Sequence, residues 1–361
     1  MHNGIGIYFG TFAPCHIGHY ELVIRAKREC EEGVVVVVSG YDGDRGGSSG
    51  MGLTDRFRAM RELFKDDEMV QVIKLDEKDI PAYISADVNG WEEWWALLQT
   101  ILAKELLTNS PRNYYVGEPE YQQELQKRVA REDVITFLER KETGLSGTLC
   151  RENPVKYWDY IMKPFRKFYV KKVLIYGTAS TGKTTLTRDL ARHYATSFSL
   201  EYAREYEETY NVRDDELSFR DLLNIGIGQF ENNKKHIHSP ANNGVFIADT
   251  DTMTTLNYIQ YYCTEEEVEN ARVVFKHYIE KQEWDLIITL PPATRYVDDG
   301  FRDMSYSDDA TRERMHQNFL NTLTEYNLSD KVAVLEGSFY EQYQAAIKLI
   351  DNLIKPEGEF A

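Results

Sequence analysis

The chain has 361 residues, with 42 Lys plus Arg against 59 Asp plus Glu and a formal net charge of −17. Its length suits two domains at roughly 150 residues each, and 42% apolar with 28% charged residues is ordinary globular composition, which excludes wholesale disorder and fibrous folds. A chain this acidic repels phosphate and is a poor non-specific nucleic-acid or membrane binder, so anionic ligands must be held by local devices such as helix N-termini, glycine loops and isolated cations. Cys15, Cys30, Cys150 and Cys263 are scattered, with no C-x-x-C pair. They read as reduced thiols rather than a disulfide scaffold or zinc ribbon. Purely apolar runs such as Val34–Val38 fall far short of a membrane span, and MHNGIGIYFG lacks the basic segment of a signal peptide. The expectation is a cytoplasmic protein with no membrane insertion.

In chain order, Ile5–Phe9 reads as a short strand, Gly10–Ile17 as a loop, and the stretch from Gly18 as a helix with Leu22, Ala26 and Cys30 at i, i+4 spacing. Gly33 stops that helix, and Val34–Val38 reads as a parallel strand buried on both faces. This strand–loop–helix–strand unit opens a Rossmann-like sheet. Gly40–Gly52 holds six glycines and reads as a mobile or ligand-covering loop. A second α/β start follows at Val173–Tyr176, with a glycine loop and a helix from Lys183 to Tyr194. Strands at Val245–Ala248 and Leu286–Leu290 continue it. The division is expected within Met162–Val170, where Pro164 interrupts structure, giving domains 1–165 and 168–361 in an α/β fold of two domains.

Gly177-Thr-Ala-Ser-Thr-Gly182-Lys183-Thr184 fits G-x-x-x-x-G-K-[ST] between a strand and a helix. Backbone N–H groups of such a loop wrap ATP phosphates, the lysine reaches the β/γ oxygens, and the threonine hydroxyl takes Mg²⁺. The expected ATP contacts are Gly177, Ser180, Thr181, Gly182, Lys183, Thr184 and Thr185. Asp249 and Asp251 follow a strand, so both are expected to emerge past its end. One would hold Mg²⁺ with Thr184, the metal pair being Thr184 and Asp249, and one would accept a substrate proton. Arg204, between aromatic and acidic neighbours, suits a sugar-bearing substrate. Arg302 and Arg312, with Arg295 and Arg314, suit a closing lid.

Gly10-Thr11-Phe12-Ala-Pro-Cys-His16-Ile-Gly18-His19 places two histidines at i, i+3 on a helix start, where they can serve α-phosphate oxygens. A metal site on the same pair is the rival reading. Ser146-Gly-Thr148-Leu-Cys-Arg151 adds small hydroxyls and an arginine suited to phosphate.

These pieces resemble the HxGH nucleotidyltransferases, with Ser146-Gly-Thr148-Leu-Cys-Arg151 as their SxTxxR motif. With the P-loop half behind them, the Trp91/Trp94/Trp95 segment, Asp42-Gly-Asp44-Arg45-Gly46 and Val297-Asp298-Asp299-Gly300, the chain resembles the bifunctional NadR proteins. The resemblance implies an N-terminal Rossmann-like HxGH nicotinamide-mononucleotide adenylyltransferase and a C-terminal P-loop ribosylnicotinamide kinase. It implies His16, His19, Lys183, Asp249 and Asp251 as catalytic residues and Gly10, Thr11, Phe12, Ser146, Thr148 and Arg151 around the transferase ATP. The implied substrate contacts are Trp91, Trp94, Arg204, Tyr296, Asp298 and Asp299. The ligands implied are ATP with Mg²⁺, nicotinamide riboside, nicotinamide mononucleotide and NAD. Oligomerisation and a functional link to a vitamin transporter are compatible with the reading. The first strand begins at residue 5, so no DNA-binding module is expected before it. Tyr296 stands where the family pattern has Trp. The alternatives are a phosphopantetheine adenylyltransferase fused to a dephospho-coenzyme A kinase, and a nucleotide-sensing regulatory protein.

Overall fold

The computed structural model describes residues 2–78, 80, 90–106, 110–138, 145–292 and 307–354. The chain divides into two compact units, Met1–Tyr169 and Val170–Ala361. In the first, β1 (Ile5–Gly10), β2 (Val34–Gly40), β3 (Val70–Asp76), β4 (Arg112–Val116) and β5 (Val134–Phe137) form one sheet in the order β3-β2-β1-β4-β5. All its pairings are parallel. Helices α1 (Ile17–Glu29), α2 (Leu53–Leu63), α3 (Trp91–Glu105), α4 (Pro119–Gln126), α5 (Gly147–Glu152) and α6 (Lys163–Arg166) accompany it.

The valine run explains this architecture. Val34, Val36 and Val38 enter one core with Tyr8 and Tyr115, while Val35 and Val37 enter the opposite core with Ile7 and Tyr114. Side chains alternate across a strand, so a strand apolar at every position can be satisfied only with both faces covered, as in a parallel sheet. The order reverses between β1 and β4. Ligands of open α/β sheets sit at such a switch point, beyond the carboxyl ends of the strands.

The second unit repeats the plan with β6 (Lys171–Tyr176), β7 (Phe198–Ser199), β8 (Val245–Asp249), β9 (Leu286–Thr289) and β10 (Val332–Val334), in the order β10-β9-β6-β8-β7. Its pairings are also parallel. Its helices are α7 (Lys183–His193), α8 (Tyr202–Tyr210), α9 (Phe219–Ile237), α10 (Thr252–Tyr262), α11 (Glu265–Gln282), α12 (Asp309–Glu325) and α13 (Phe339–Ile354). Strand β6 is central, flanked by β8 and β9, so the loop after it opens beside the end of β8.

Two expectations are modified. Pro164 interrupts nothing: it occupies the first turn of α6, where a missing N–H costs no helix bond, and Phe165 is fully buried in the first unit's core. Residues 40–52 are not a loose loop. The Arg56 guanidinium is fully buried and donates to both Asp44 carboxylate oxygens, at 2.8 and 2.7 Å, and to the Met51 carbonyl at 2.7 Å, which folds the glycines around it. All four cysteines are free thiols. Among the described residues no helix is long and apolar enough to cross a membrane.

Candidate active sites

In the first unit the loop after β1 carries the histidine motif to the switch point. His16 precedes α1 and is buried. Its ring stacks on that of His19 one turn later, centroids 3.9 Å apart at 29°. The His16 N–H donates to His19 Nδ1 over 3.5 Å. A neutral imidazole accepting at Nδ1 carries its proton at Nε2, which makes that nitrogen the donor of the His19 ring. The intervening glycine leaves room for the ring: a Cβ at Gly18 would stand 3.1 Å from His16 Cε1, and the imidazole would have to give way by a few tenths of an ångström. Phe12 is buried and meets the His19 ring edge-on at 5.3 Å, walling the pair from behind.

The second transferase motif docks on the first. Arg151 Nη1 donates to the Ala13 carbonyl, 138 positions away, and Nη2 donates to Thr148 Oγ1 at 3.1 Å. The Ser146 hydroxyl is engaged as the N-cap of α5, accepting from the Leu149 N–H at 3.2 Å. Ser146 therefore shapes the turn, and Arg151 supplies the charge. Gly10 and Thr11 border the same loop.

Arg45 is a residue that the motif reading did not assign a role. Its Nη2 donates to Thr11 Oγ1 at 3.0 Å from the loop clasped by Asp44 and Arg56. Burial pushes the Tyr121 phenol up to about 12, the Glu77 and Glu118 carboxylates add to the rise, and the Arg45 guanidinium opposes it. Arg45 thus lies within electrostatic reach of both the phosphate loop and the aromatic cluster.

That cluster is Phe9, Trp91, Trp94 and Tyr121. Trp94, expected with Trp91 as a substrate contact, turns into the core. Trp94 is buried, lies against Phe9 at 5.0 Å and Trp91 at 5.8 Å, and donates its indole N–H to Glu77 Oε1 at 3.0 Å. Its faces are spent on the core. Trp91, at the first turn of α3, is half-buried and meets Trp94 and Tyr121 edge-on at 5.8 and 4.9 Å.

In the second unit the P-loop joins β6 to α7. Gly177 has φ +137°, and a Cβ there would stand 3.0 Å from the Leu290 carbonyl oxygen, so only glycine lets the loop leave the sheet beside β9. Lys183, buried at the first position of α7, bridges the loop by donating to the Thr178 carbonyl at 2.8 Å. Thr181 Oγ1 also donates to Thr178 O, at 3.1 Å. Ser180 takes a positive φ of 61°, Gly182 takes 90°, and Thr185 faces solvent on the first turn. Thr184 Oγ1 donates to Asp249 Oδ2. Burial pushes Asp249 up to about 6; the Lys183 ammonium opposes the rise and the Glu201 carboxylate adds to it.

Asp251 does not emerge at the strand end as expected. It caps α10, accepting from the Thr254 N–H at 3.1 Å, and its other oxygen accepts from the Trp284 indole at 3.0 Å. Both carboxylate oxygens are committed inside the core, one to the cap of α10 and the other to the Trp284 indole. Asp251→Ala is expected to cost roughly 2–4 kcal/mol, from a lost cap and a buried indole N–H without an acceptor. Urea unfolding followed by tryptophan fluorescence checks this, and an unchanged midpoint would refute the capping role.

Arg204 is half-buried, with Nη1 3.5 Å from Glu207 Oε2. Glu207 is buried, and its carboxyl is pushed up to about 9 by burial, with Asp214 adding to the rise and Arg204 opposing it. Arg312, expected in a lid, is instead buried in the first turn of α12, while Arg314 is exposed and donates to Thr311 Oγ1 at 2.8 Å. Arg295, Tyr296, Asp298, Asp299 and Arg302 lie outside the described residues. Among the described residues no group of three or more His, Cys, Asp and Glu side chains gathers as a metal cage.

Comparison with known proteins agrees with this two-site arrangement. A cytidylyltransferase-like family model matches residues 7–153, and an AAA domain model matches residues 172–342. The trifunctional NAD biosynthesis/regulator protein NadR of Salmonella typhimurium is 29% identical, the match spanning 98% of this chain and 84% of that protein. The protein of the same description from Escherichia coli is 28% identical over 97% and 83%. A crystal structure of a NadR protein in complex with NR is similar at TM-score 0.87 and 37% identity, covering 99% of this chain and 98% of that one. A NadR structure with NAD and AMP-PNP is similar at TM-score 0.86 and 38% identity, covering 99% of each chain.

Proposed function

The chain belongs to the NadR family, and from that premise we propose how its two units divide the work. The protein is a bifunctional transferase of NAD biosynthesis. It phosphorylates nicotinamide riboside to nicotinamide mononucleotide with ATP, and it joins nicotinamide mononucleotide to the adenylyl group of a second ATP, releasing pyrophosphate. The observation that carries the reading is that one chain presents two separate phosphate-handling edges, the Lys183–Thr184–Asp249 set beside β6 and the His16–His19–Arg151 set beyond β1.

The first unit, residues 1–169, is the adenylyltransferase and the second, from 170, the kinase. In the transferase unit a phosphate oxygen of the mononucleotide attacks the α-phosphorus of ATP in line, and pyrophosphate leaves. His16, His19 and Arg151 stabilise the charge that develops on the α-phosphate. Arg45 reaches Thr11 and lies within electrostatic reach of Tyr121, where it neutralises the attacking phosphate, and half-buried Trp91 is the indole that meets the nicotinamide. In the kinase unit the 5′-hydroxyl of the riboside attacks the γ-phosphorus. The P-loop amides from Gly177 to Thr185 hold the phosphates and Lys183 neutralises the β/γ oxygens. Arg204 orients the sugar. The Thr184 hydroxyl and Asp249 carboxylate, already paired, form the hard-oxygen donor set that suits magnesium. Bound with ATP, that ion would neutralise phosphate charge.

The test is product identification. The purified chain is incubated with ATP, Mg²⁺ and nicotinamide riboside, and the products are weighed by mass spectrometry. Mononucleotide and then NAD are expected. Turnover of neither riboside nor mononucleotide would refute the reading.

A further inference from the structure

With Asp251 committed to α10 and Asp249 paired with Thr184, the riboside hydroxyl still needs a proton acceptor. One carboxylate at the same edge is uncommitted. Strand β7 pairs with β8 through Ser199 opposite Ala248, so the next residues, Leu200 and Glu201, leave the sheet beside Asp249 and Thr250. Glu201 stands at the N-cap of α8, yet its side chain does not cap that helix. Among the described residues no hydrogen bond or ion pair engages its carboxylate, and it is half-buried. Its carboxylate adds to the upward push of burial on both Asp249 and Glu207, so it lies within electrostatic reach of each.

The backbone around Glu201 is held by a buried amide. Gln229 of α9 is 1% exposed, and its Oε1 accepts from the Tyr202 N–H at 2.6 Å and from Thr250 Oγ1 at 3.1 Å. Its Nε2 donates to the Leu200 carbonyl at 3.3 Å and to Asn233 Oδ1 at 2.9 Å. The residues on either side of Glu201 are thus tied through one side chain to the residue after Asp249. Asn233 extends the network to Ser199 and Thr250. A fully satisfied buried amide rigidifies what it joins.

We propose that Glu201 is the catalytic base of the kinase unit and that Gln229 is its positioning residue, an inference that rests on the kinase reading above. In the step, a lone pair of the riboside 5′-oxygen forms the bond to the γ-phosphorus. The bond from that phosphorus to the β,γ-bridging oxygen breaks, and its electron pair leaves with ADP. The hydroxyl proton passes to the Glu201 carboxylate and from there to solvent after product release.

The experiment measures steady-state riboside phosphorylation and adenylyl transfer in the full-length chain, with ATP binding followed by a fluorescent ATP analogue. Glu201→Gln is expected to lower kcat for phosphorylation by about 10²–10³-fold. ATP affinity should stay within about twofold and adenylyl transfer should be unchanged, while Glu201→Asp should recover roughly tenfold over Gln. Gln229→Ala, or Gln229→Glu where the alanine variant folds poorly, should lower kcat about tenfold in the parent and less than about twofold in the Glu201→Gln background, the non-additivity of groups acting as one unit. A Glu201→Gln chain within about threefold of the parent overturns the base assignment alone. Multiplicative losses from the two substitutions overturn the positioning role. A parent chain that does not phosphorylate the riboside overturns the kinase reading, and this inference with it.

Discussion

Lys183→Ala is expected to lower riboside phosphorylation by about 10³-fold or more, the range for loss of a cation from a phosphoryl-transfer site, while adenylyl transfer continues. Lys183 is buried at the head of α7, and its ammonium spans the P-loop to the Thr178 carbonyl at 2.8 Å. It is also the cation that opposes the upward push of burial on Asp249. On the kinase reading, alanine removes the positive charge proposed for the β/γ oxygens and leaves Asp249 without its counter-charge. Both effects act in a low-dielectric loop, where charge terms are largest. The transferase motifs lie in the other unit, on their own sheet and core. Parallel assays of the two reactions on one preparation decide the matter. Equal losses in both, with circular dichroism unchanged, would contradict the assignment of one reaction to each unit.

His19→Ala is the reciprocal case. A loss of roughly 10²-fold in the adenylyl-transfer kcat is expected, as for removal of one oxyanion donor, with the kinase rate kept. His19 stacks on His16 and accepts the His16 N–H at Nδ1, so its ring is fixed and Nε2 is the donor. Alanine also removes the ring on which Phe12 packs edge-on, so His19→Gln is the better control: it keeps bulk and a donor and should lose less. An alanine variant within about threefold of the parent would remove His19 from catalysis.

Much of this was legible in the residues. Five consecutive valines at Val34–Val38 can be placed only in a strand covered on both faces, and that fixes a parallel α/β sheet. The glycine spacing of Gly177–Thr184 follows from phosphate geometry, and the strand and helix around it are those observed. The His16–His19 spacing puts two rings on one turn, where they stack. In each case the physics is local: side-chain alternation, helix pitch, or a backbone conformation that one residue type tolerates.

What only the tertiary structure decided involves partners distant in sequence. Asp249 and Asp251 are equivalent as sequence, and an indole 33 positions beyond Asp251 separates them by giving it an acceptor role in the core. Trp91 and Trp94 are equally aromatic, but Glu77 and Phe9 claim Trp94. The glycine-rich stretch reads as loose until the Arg56 guanidinium closes on Asp44 and holds Arg45 toward Thr11. Glu201 opens the segment Glu201–Tyr206, in which the residues alone point to Arg204; the register of β7 on β8 and the Gln229 amide bring Glu201 beside Asp249. The sequence determined which backbone elements and phosphate loops exist, because periodicity and backbone conformation are set within a few residues. Which carboxylate, indole or guanidinium faces the ligand was decided by folding, because a buried polar group turns toward whatever partner the other strands and helices bring to it.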